Sequence, residues 1–375
     1  MAQQTSNTRE ELESWIDKTK DHLLCNIVLN SIIRILPRFL RLQEDSLFAN
    51  VIVSVLFAVF LYLLSFLISF LFDTSVPFGN PIAALVSLLT VLSFSIVKGL
   101  HDSILPSAAE KNFAKKLLEL DTIPNEKLTS VRDWWVSFLS LPRQIIFVSL
   151  LGILGVLTVH YFSLKTSMTI HYGSYVLILF CGVAISQGGY CAITIPRLSK
   201  AITNVPFPMF WLRPADSLWI KEASSVFTKL SLANAFIASC IMAGLFWPKP
   251  WKTSTTTVVA SIWLLITLSV VLYSFFYPQY YLSKIIKAEK DTQMSNLQKK
   301  IKKGPFGRAS EEEIKKLNEL IKVYEQLANS RESAIDMQAL LRLFFSLAVP
   351  ILSFIGISIQ IGTTLTNQLK NIHQP

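Results

Sequence analysis

The sequence predicts an all-α fold: a multi-pass integral membrane helical bundle of about seven transmembrane helices plus a cytoplasmic helical hairpin. Three observations predict it. Of the 375 residues, 51% are hydrophobic and only 16% are charged, against roughly 25% charged in a typical soluble protein. Seven stretches of 19 or more residues carry no charged side chain. The basic residues cluster in every second connection between those stretches.

Each charge-free stretch is long enough to cross a bilayer, because about 20 apolar residues in a helix span its ~30 Å hydrocarbon core. Lipid offers the backbone no hydrogen-bond partner, so a helix is required there. A closed barrel would need alternating segments of about ten residues, and these stretches do not alternate. We predict transmembrane helices at 48–71, 77–97, 145–163, 174–195, 230–247, 256–276 and 341–362.

The basic residues predict the orientation. Of the 35, 31 lie in the N-terminal segment 1–47 and in the connections 98–143, 196–229 and 277–342. Because basic residues near span ends stay in the cytoplasm, we expect a cytoplasmic N-terminus and an external C-terminus in a cell membrane, plasma or inner. This bias accounts for the net charge of +10 without a nucleic-acid partner, and it makes anionic lipid headgroups the expected contacts.

The domain organisation follows from these spans. At about 23–42 an apolar helix carries an arginine stripe, which favours the cytoplasmic membrane interface. The predicted units are a cytoplasmic N-terminal segment 1–47, six helices within 48–276, a cytoplasmic hairpin 277–340, a seventh helix 341–362 and an external tail 363–375.

Both long cytoplasmic connections carry aromatic residues beside arginines, a composition typical of the headgroup region. We therefore expect the loops 98–143 and 196–229 to be partly interfacial. The aromatic residues concerned are Trp134, Trp135, Phe138, Phe207, Phe210, Trp211 and Trp219.

The hairpin is predicted from two helical patterns around a Gly-Pro break. The first helix continues the sixth span, and the second starts with a capping box formed by Ser310 and Glu313. The second helix carries a seam of two heptads at Ile314, Leu317, Ile321, Tyr324 and Ala328. Two heptads are too few to stand alone, so we expect this seam to pack on its partner helix, on other cytoplasmic segments or on a second subunit.

Three groups of side chains are candidate sites. A polar stripe on the seventh span either lines a pore or forms a packing seam, the commoner use of small residues. Small residues on the fourth span favour close helix packing. A lysine cluster at the hairpin turn suits lipid headgroups or an acidic partner, or is simply solvated. The stripe is Ser346, Ser353, Gly356, Gln360 and Thr364; the small residues are Gly182, Ser186, Gly188 and Gly189; the cluster is Lys299, Lys300, Lys302 and Lys303.

No motif for catalysis, a metal or a cofactor occurs: the five histidines stand apart, and neither a zinc helix, a nucleophile elbow nor a phosphate loop is present. We therefore expect no enzyme and no cofactor. The predicted spans also carry no Asp, Glu or Lys at membrane depth, and this disfavours proton relays, voltage sensing and coupled pumps.

The pattern that remains favours an oligomeric passive membrane channel or pore, with a homo-oligomer expected. The alternative is a membrane-anchored interaction or effector subunit that receives a soluble cytoplasmic partner on its hairpin. In layout alone, with seven spans, a cytoplasmic N-terminus and a cytoplasmic helical anchor, the chain is similar to the tetrameric insect chemoreceptor channels. That likeness implies a channel by analogy of arrangement and involves no shared motif.

Overall fold

The structure, a computed structural model, describes residues 10–12, 14, 22–23, 27, 47–72, 125–166, 172–206, 209–246, 254–302, 311–335, 337–348 and 351. These residues form α-helices, short 310 turns and connecting loops, with no strand among them. The predicted all-α class is confirmed.

Nine α-helices are labelled here within the described residues. Their bounds are α1 Leu47–Phe72, α2 Asn125–Leu139, α3 Leu141–Thr166, α4 Tyr172–Thr194, α5 Leu198–Ala201, α6 Leu218–Phe246, α7 Ser254–Lys302, α8 Glu311–Ala328 and α9 Met337–Ala348. Three 310 turns lie at Ile195–Arg197, Ile202–Asn204 and Pro214–Asp216.

The helix bounds follow the charge-free stretches closely. Helices α1, α3 and α4 coincide with the first, third and fourth predicted spans to within a few residues. Helix α6 instead begins at Leu218, ahead of the predicted 230–247, because it accommodates Lys221 and Lys229 on its exposed side. The predicted helices 23–42 and 77–97 and the tail 363–375 lie wholly or almost wholly outside the described residues.

Two of the described helices are long and apolar enough to cross a membrane, at Leu141–Thr158 and at Ser261–Lys302. In their most apolar 18 residues, only 17% and 22% are buried. A core helix of a water-soluble protein would bury most of such a stretch. Two further apolar stretches, Val59–Phe72 within α1 and Met337–Ala348, are shorter.

Helix α1 shows an inverted distribution of side chains. Its inner face, which packs on α4, buries Ser65 and Ser69 at 3% exposure each. Its outer face exposes Leu63, Leu67 and Phe70, each by more than half. Water would favour the opposite arrangement, whereas a lipid environment favours this one.

Helices α3 and α4 form the most extensive helix pair among the described elements. At their crossing, a Cβ added to Gly182 would lie 3.3 Å from the Cα of Gly152. The two backbones therefore approach too closely for a side chain at residue 182, as in small-residue seams between membrane helices.

The largest core lies among the cytoplasmic connections of the predicted topology. It joins α2, the end of α4, the start of α6 and the middle of α7. Trp135, Phe138 and Trp219 are buried there at 6% exposure or less, so these three side chains pack against protein. That the loops are partly interfacial stays a prediction. Phe210 and Trp211 remain more than half exposed. Composition alone does not distinguish a buried aromatic cluster from an interfacial one.

The predicted continuation of the helix beyond the sixth predicted span is present, since α7 runs unbroken from Ser254 to Lys302 and packs against α8. On α8, Leu327 is fully buried, and Leu317, Tyr324 and Ala328 of the predicted seam are half-buried. Its Ile314 and Ile321 are 49% and 37% exposed. Packing of the whole seam therefore stays a prediction.

We predict that Gly182→Leu destabilises the protein by about 1–3 kcal/mol, the usual cost of overpacking, because the new side chain forces α4 away from Gly152. Gly155→Leu, on the same pair of helices, is the matched control, since a Cβ there meets nothing within 4 Å. Thermal unfolding in detergent, followed by circular dichroism, measures both. Equal midpoints for the two variants would contradict the close approach.

Candidate functional site

Helix α9 carries the only described part of the predicted stripe. Its Ala339, Leu343 and Leu347 pack on α6 and α7. Ser346, at the edge of this face, is half-buried and donates to the carbonyl of Leu343 at 2.8 Å. The start of the stripe thus adjoins a packing face. The other predicted residues, Ser353, Gly356, Gln360 and Thr364, lie outside the described residues.

The small residues of the fourth span face different neighbours. Gly182 opposes Gly152 as described above, and Ser186 is buried at 3% exposure. A Cβ at Gly189 would lie 4.0 Å from the Phe147 ring, which is ordinary contact. Gly188 is half-buried.

The lysine cluster lies at the far end of α7, where Lys299, Lys300 and Lys302 are exposed, and Lys303 lies outside the described residues. Lys299 follows Tyr277 by 22 residues, or about 33 Å at the helical rise. This distance separates the cluster from the apolar part of α7.

Uncharged polar side chains are buried between helices that expose apolar ones. Helices α4, α6 and α7 contact one another, and α3 lies against α4. The buried polar side chains of this layer, each at 7% exposure or less, are Gln144, Ser186, Gln187, Ser231, Asn234 and Ser274. We call these six residues the polar layer.

One half of the polar layer is a chain of amides. Gln187 Nε2 donates to Gln144 Oε1 at 3.2 Å, and Gln144 Nε2 donates to the carbonyl of His22 at 3.1 Å. The chain ties α4 and α3 to the N-terminal segment. Gln187 Oε1 is buried and has no hydrogen-bond partner.

The other half lies between α6 and α7. The hydroxyls of Ser231 and Ser274 are 3.3 Å apart. Asn234, about one helical turn after Ser231, is 7% exposed, and its Nδ2 has no hydrogen-bond partner. Gln187 therefore has an unused acceptor and Asn234 an unused donor. Each buried polar group without a partner costs about 1–3 kcal/mol of stability.

A second polar cluster fixes the end of the hairpin. Lys290 is 3% exposed, and its Nζ donates to the carbonyls of Ala328 at 2.7 Å and Ser330 at 3.0 Å. It also pairs with Glu332 Oε1 at 2.8 Å. The ammonium group therefore caps the C-terminal end of α8, where a positive charge is favoured by the helix dipole.

The loop after α8 is held to α6 and α7 by further hydrogen bonds. The Ser224 hydroxyl donates to the carbonyl of Ala334 at 3.2 Å and accepts from Gln279 Nε2 at 3.0 Å. The backbone amide of Ala334 donates to Ser283 Oγ at 3.1 Å. Together with Lys290, these bonds connect the hairpin to the start of α9. No sequence pattern distinguishes Lys290 from its exposed neighbours.

The hydrogen bond from Lys290 lowers the pKa of Glu332, and the positive charge of Lys290 acts in the same direction. A lowered pKa in the folded state means that the pair stabilises the fold above the ordinary carboxyl pKa. This stabilisation is lost as the pH falls through the folded-state pKa.

Within the part of the chain that the structure describes, no group of three or more His, Cys, Asp or Glu side chains is placed to hold a metal ion. No protein-family model, curated protein or solved structure matches this chain. The candidate site therefore rests on the polar layer and on the Lys290 cluster.

We predict that Lys290→Met destabilises the protein by about 2 kcal/mol, the scale of lost hydrogen bonds to a charged group, because Ala328 and Ser330 lose their donor. Hydrogen exchange should speed up in residues 328–334. The matched control is Lys316→Met, which removes an exposed pair with Glu312 worth only about 0.3–0.5 kcal/mol.

The destabilisation caused by Lys290→Met should depend on pH. The stability difference between wild type and Lys290→Met should shrink as the pH falls below about 4.5, the ordinary value for Glu332, because protonation removes the charge from the pair. A difference that is constant down to low pH would contradict the ion pair, although not the carbonyl contacts.

Proposed function

We propose that this chain is a multi-pass integral membrane protein with seven transmembrane helices, a cytoplasmic N-terminus and an external C-terminus. The asymmetry of its basic residues, 31 against four, supports this orientation. The outward leucines, isoleucines and phenylalanines of α1 and α3 support contact with lipid, because water-soluble proteins rarely expose contiguous apolar surfaces of this size.

Within that topology, the function that the geometry supports best is a passive membrane channel or pore. The polar layer supplies uncharged hydrogen-bonding groups between α3, α4, α6 and α7. Pathways for passive conduction use polar groups of this kind, and every side chain of the layer lacks a charge that would hold a permeating species tightly.

One observation carries the proposal: Gln187 Oε1 and Asn234 Nδ2 are both buried without a partner. One is an acceptor and the other a donor, on helices that contact each other. A small molecule that both donates and accepts hydrogen bonds, water above all, would satisfy both groups. We therefore assign the conduction pathway to the polar layer.

The proposed pathway differs from the sequence-based candidate, the polar stripe on the seventh span. Ser346 adjoins the face of α9 that packs on α6 and α7, which favours a packing seam at that end of the stripe. A homo-oligomer remains part of the proposal, with each subunit containing its own pathway.

We predict that the purified protein raises the permeability of liposomes to water, to small neutral solutes or to ions. Gln187→Leu and Asn234→Leu should each lower that flux at least tenfold, because a leucine removes the unpaired hydrogen-bonding groups of the pathway. Stopped-flow light scattering and ion-sensitive dyes measure the flux.

The matched control is Ser269→Leu, which makes the same kind of change on the exposed side of α7 and should leave the flux unchanged. Wild-type protein that is folded and reconstituted but conducts nothing under any of these conditions would contradict the channel. Equal loss in all three variants would contradict the assignment to the polar layer.

A further inference from the structure

Helix α7 carries an aromatic face that none of the other described helices covers fully. The surface over this face is shallow and open, with a volume of about 520 Å³, so it suits a ligand that lies along the helix and not one that is enclosed. Tyr280 is 64% exposed and Phe276 is 44% exposed. The surface, here called the tyrosine groove, is lined by Leu272, Tyr273, Phe276, Tyr277, Tyr280 and Tyr281.

The rings of the tyrosine groove form a ladder along the helix. The ring centroids of Tyr273 and Tyr277 are 4.8 Å apart, and those of Tyr277 and Tyr281 are 4.9 Å apart. Residues four apart lie on one face of a helix, so the hydroxyls point along a single side. Tyrosine combines an apolar ring with a polar tip and is enriched where the hydrocarbon core meets the headgroups.

The position of the groove fits that boundary. The charge-free stretch of α7 covers residues 253–283, about 46 Å of helix against a hydrocarbon core of ~30 Å. A crossing that starts near residue 256 leaves the core near residue 276. Tyr277, Tyr280 and Tyr281 then lie at headgroup depth on the cytoplasmic side.

Basic side chains surround the cytoplasmic end of the groove. Lys284 follows Tyr280 by one turn and Lys287 by two, and both are exposed. Arg197, exposed on the 310 turn that packs against α7, acts electrostatically on the Tyr277 hydroxyl. Two acidic side chains lie near these lysines: Glu332, on which the charge of Lys287 acts, and Asp291, about two turns after Lys284 on the same face. A molecule with an anionic group and an apolar tail complements an aromatic groove that ends in basic side chains.

We propose that the tyrosine groove binds one anionic phospholipid of the cytoplasmic leaflet. The acyl chain lies along Leu272 and Phe276, the tyrosine hydroxyls contact the glycerol and ester oxygens, and Lys284, Lys287 and Arg197 bind the phosphate. Basic residues near the membrane surface attract anionic lipid, so charge selects the lipid. The site rests on the proposed membrane placement but not on conduction.

The test is retention of lipid by the full-length protein, counted by native mass spectrometry after extraction from an equimolar mixture of phosphatidylglycerol and phosphatidylcholine. We expect at least fivefold more phosphatidylglycerol on the wild type. The double variant Lys284→Gln, Lys287→Gln should lose that preference. Both side chains are exposed, so the fold should persist, as circular dichroism would verify.

The matched control is Lys299→Gln, Lys300→Gln, which removes the same charge about 33 Å along α7 from Tyr277 and should keep the preference. Inorganic phosphate at millimolar concentration should not displace the lipid, since it lacks the acyl chain. Equal retention of the two lipids by wild type, or equal loss in both double variants, would overturn the site. Because binding is read without flux, failure of the channel proposal would leave this result intact.

Discussion

The cost of burying a polar group without a partner is the constraint on which the rest of this bundle depends. Serines and glutamines point inward and find partners across helices, as Gln187 does with Gln144 and Ser231 with Ser274. On α1 and α3, leucines, isoleucines and phenylalanines point outward. The arrangement suits helices surrounded by lipid, where packing and interhelical hydrogen bonds hold the bundle together without a hydrophobic effect between spans.

The same constraint shapes the hairpin formed by α7 and α8. Buried Lys290 is tolerated because two carbonyls and Glu332 accept its three protons. The loop between α8 and α9 is fixed by two sets of hydrogen bonds. Lys290 contacts residues 328–332, and Ser224 and Ser283 bind Ala334. A movement of the hairpin is thereby coupled to the start of α9.

The sequence predicts the helices well where one property, the absence of charged residues, defines them. The bounds of α1, α3 and α4 follow from the absence of charge. Other features depend on neighbours in space. Trp135 and Phe138 have the composition of an interfacial belt and are buried in a core, and Ile314 and Ile321 of the heptad seam are exposed. Lys290 and the paired amides of Gln144 and Gln187 are invisible to periodicity, because their partners lie 38 or more residues away.

The central claim is that the uncharged interior belongs to a membrane bundle with its hairpin in the cytoplasm. Labelling with an impermeant thiol reagent in intact cells tests this most directly, in a background where Cys25, Cys181, Cys191 and Cys240 are replaced by alanine. A cysteine introduced at Ser254 or Gln374 should be labelled from outside, and one at Ser310 only after the membrane is permeabilised. Labelling at Ser310 in intact cells would contradict the account.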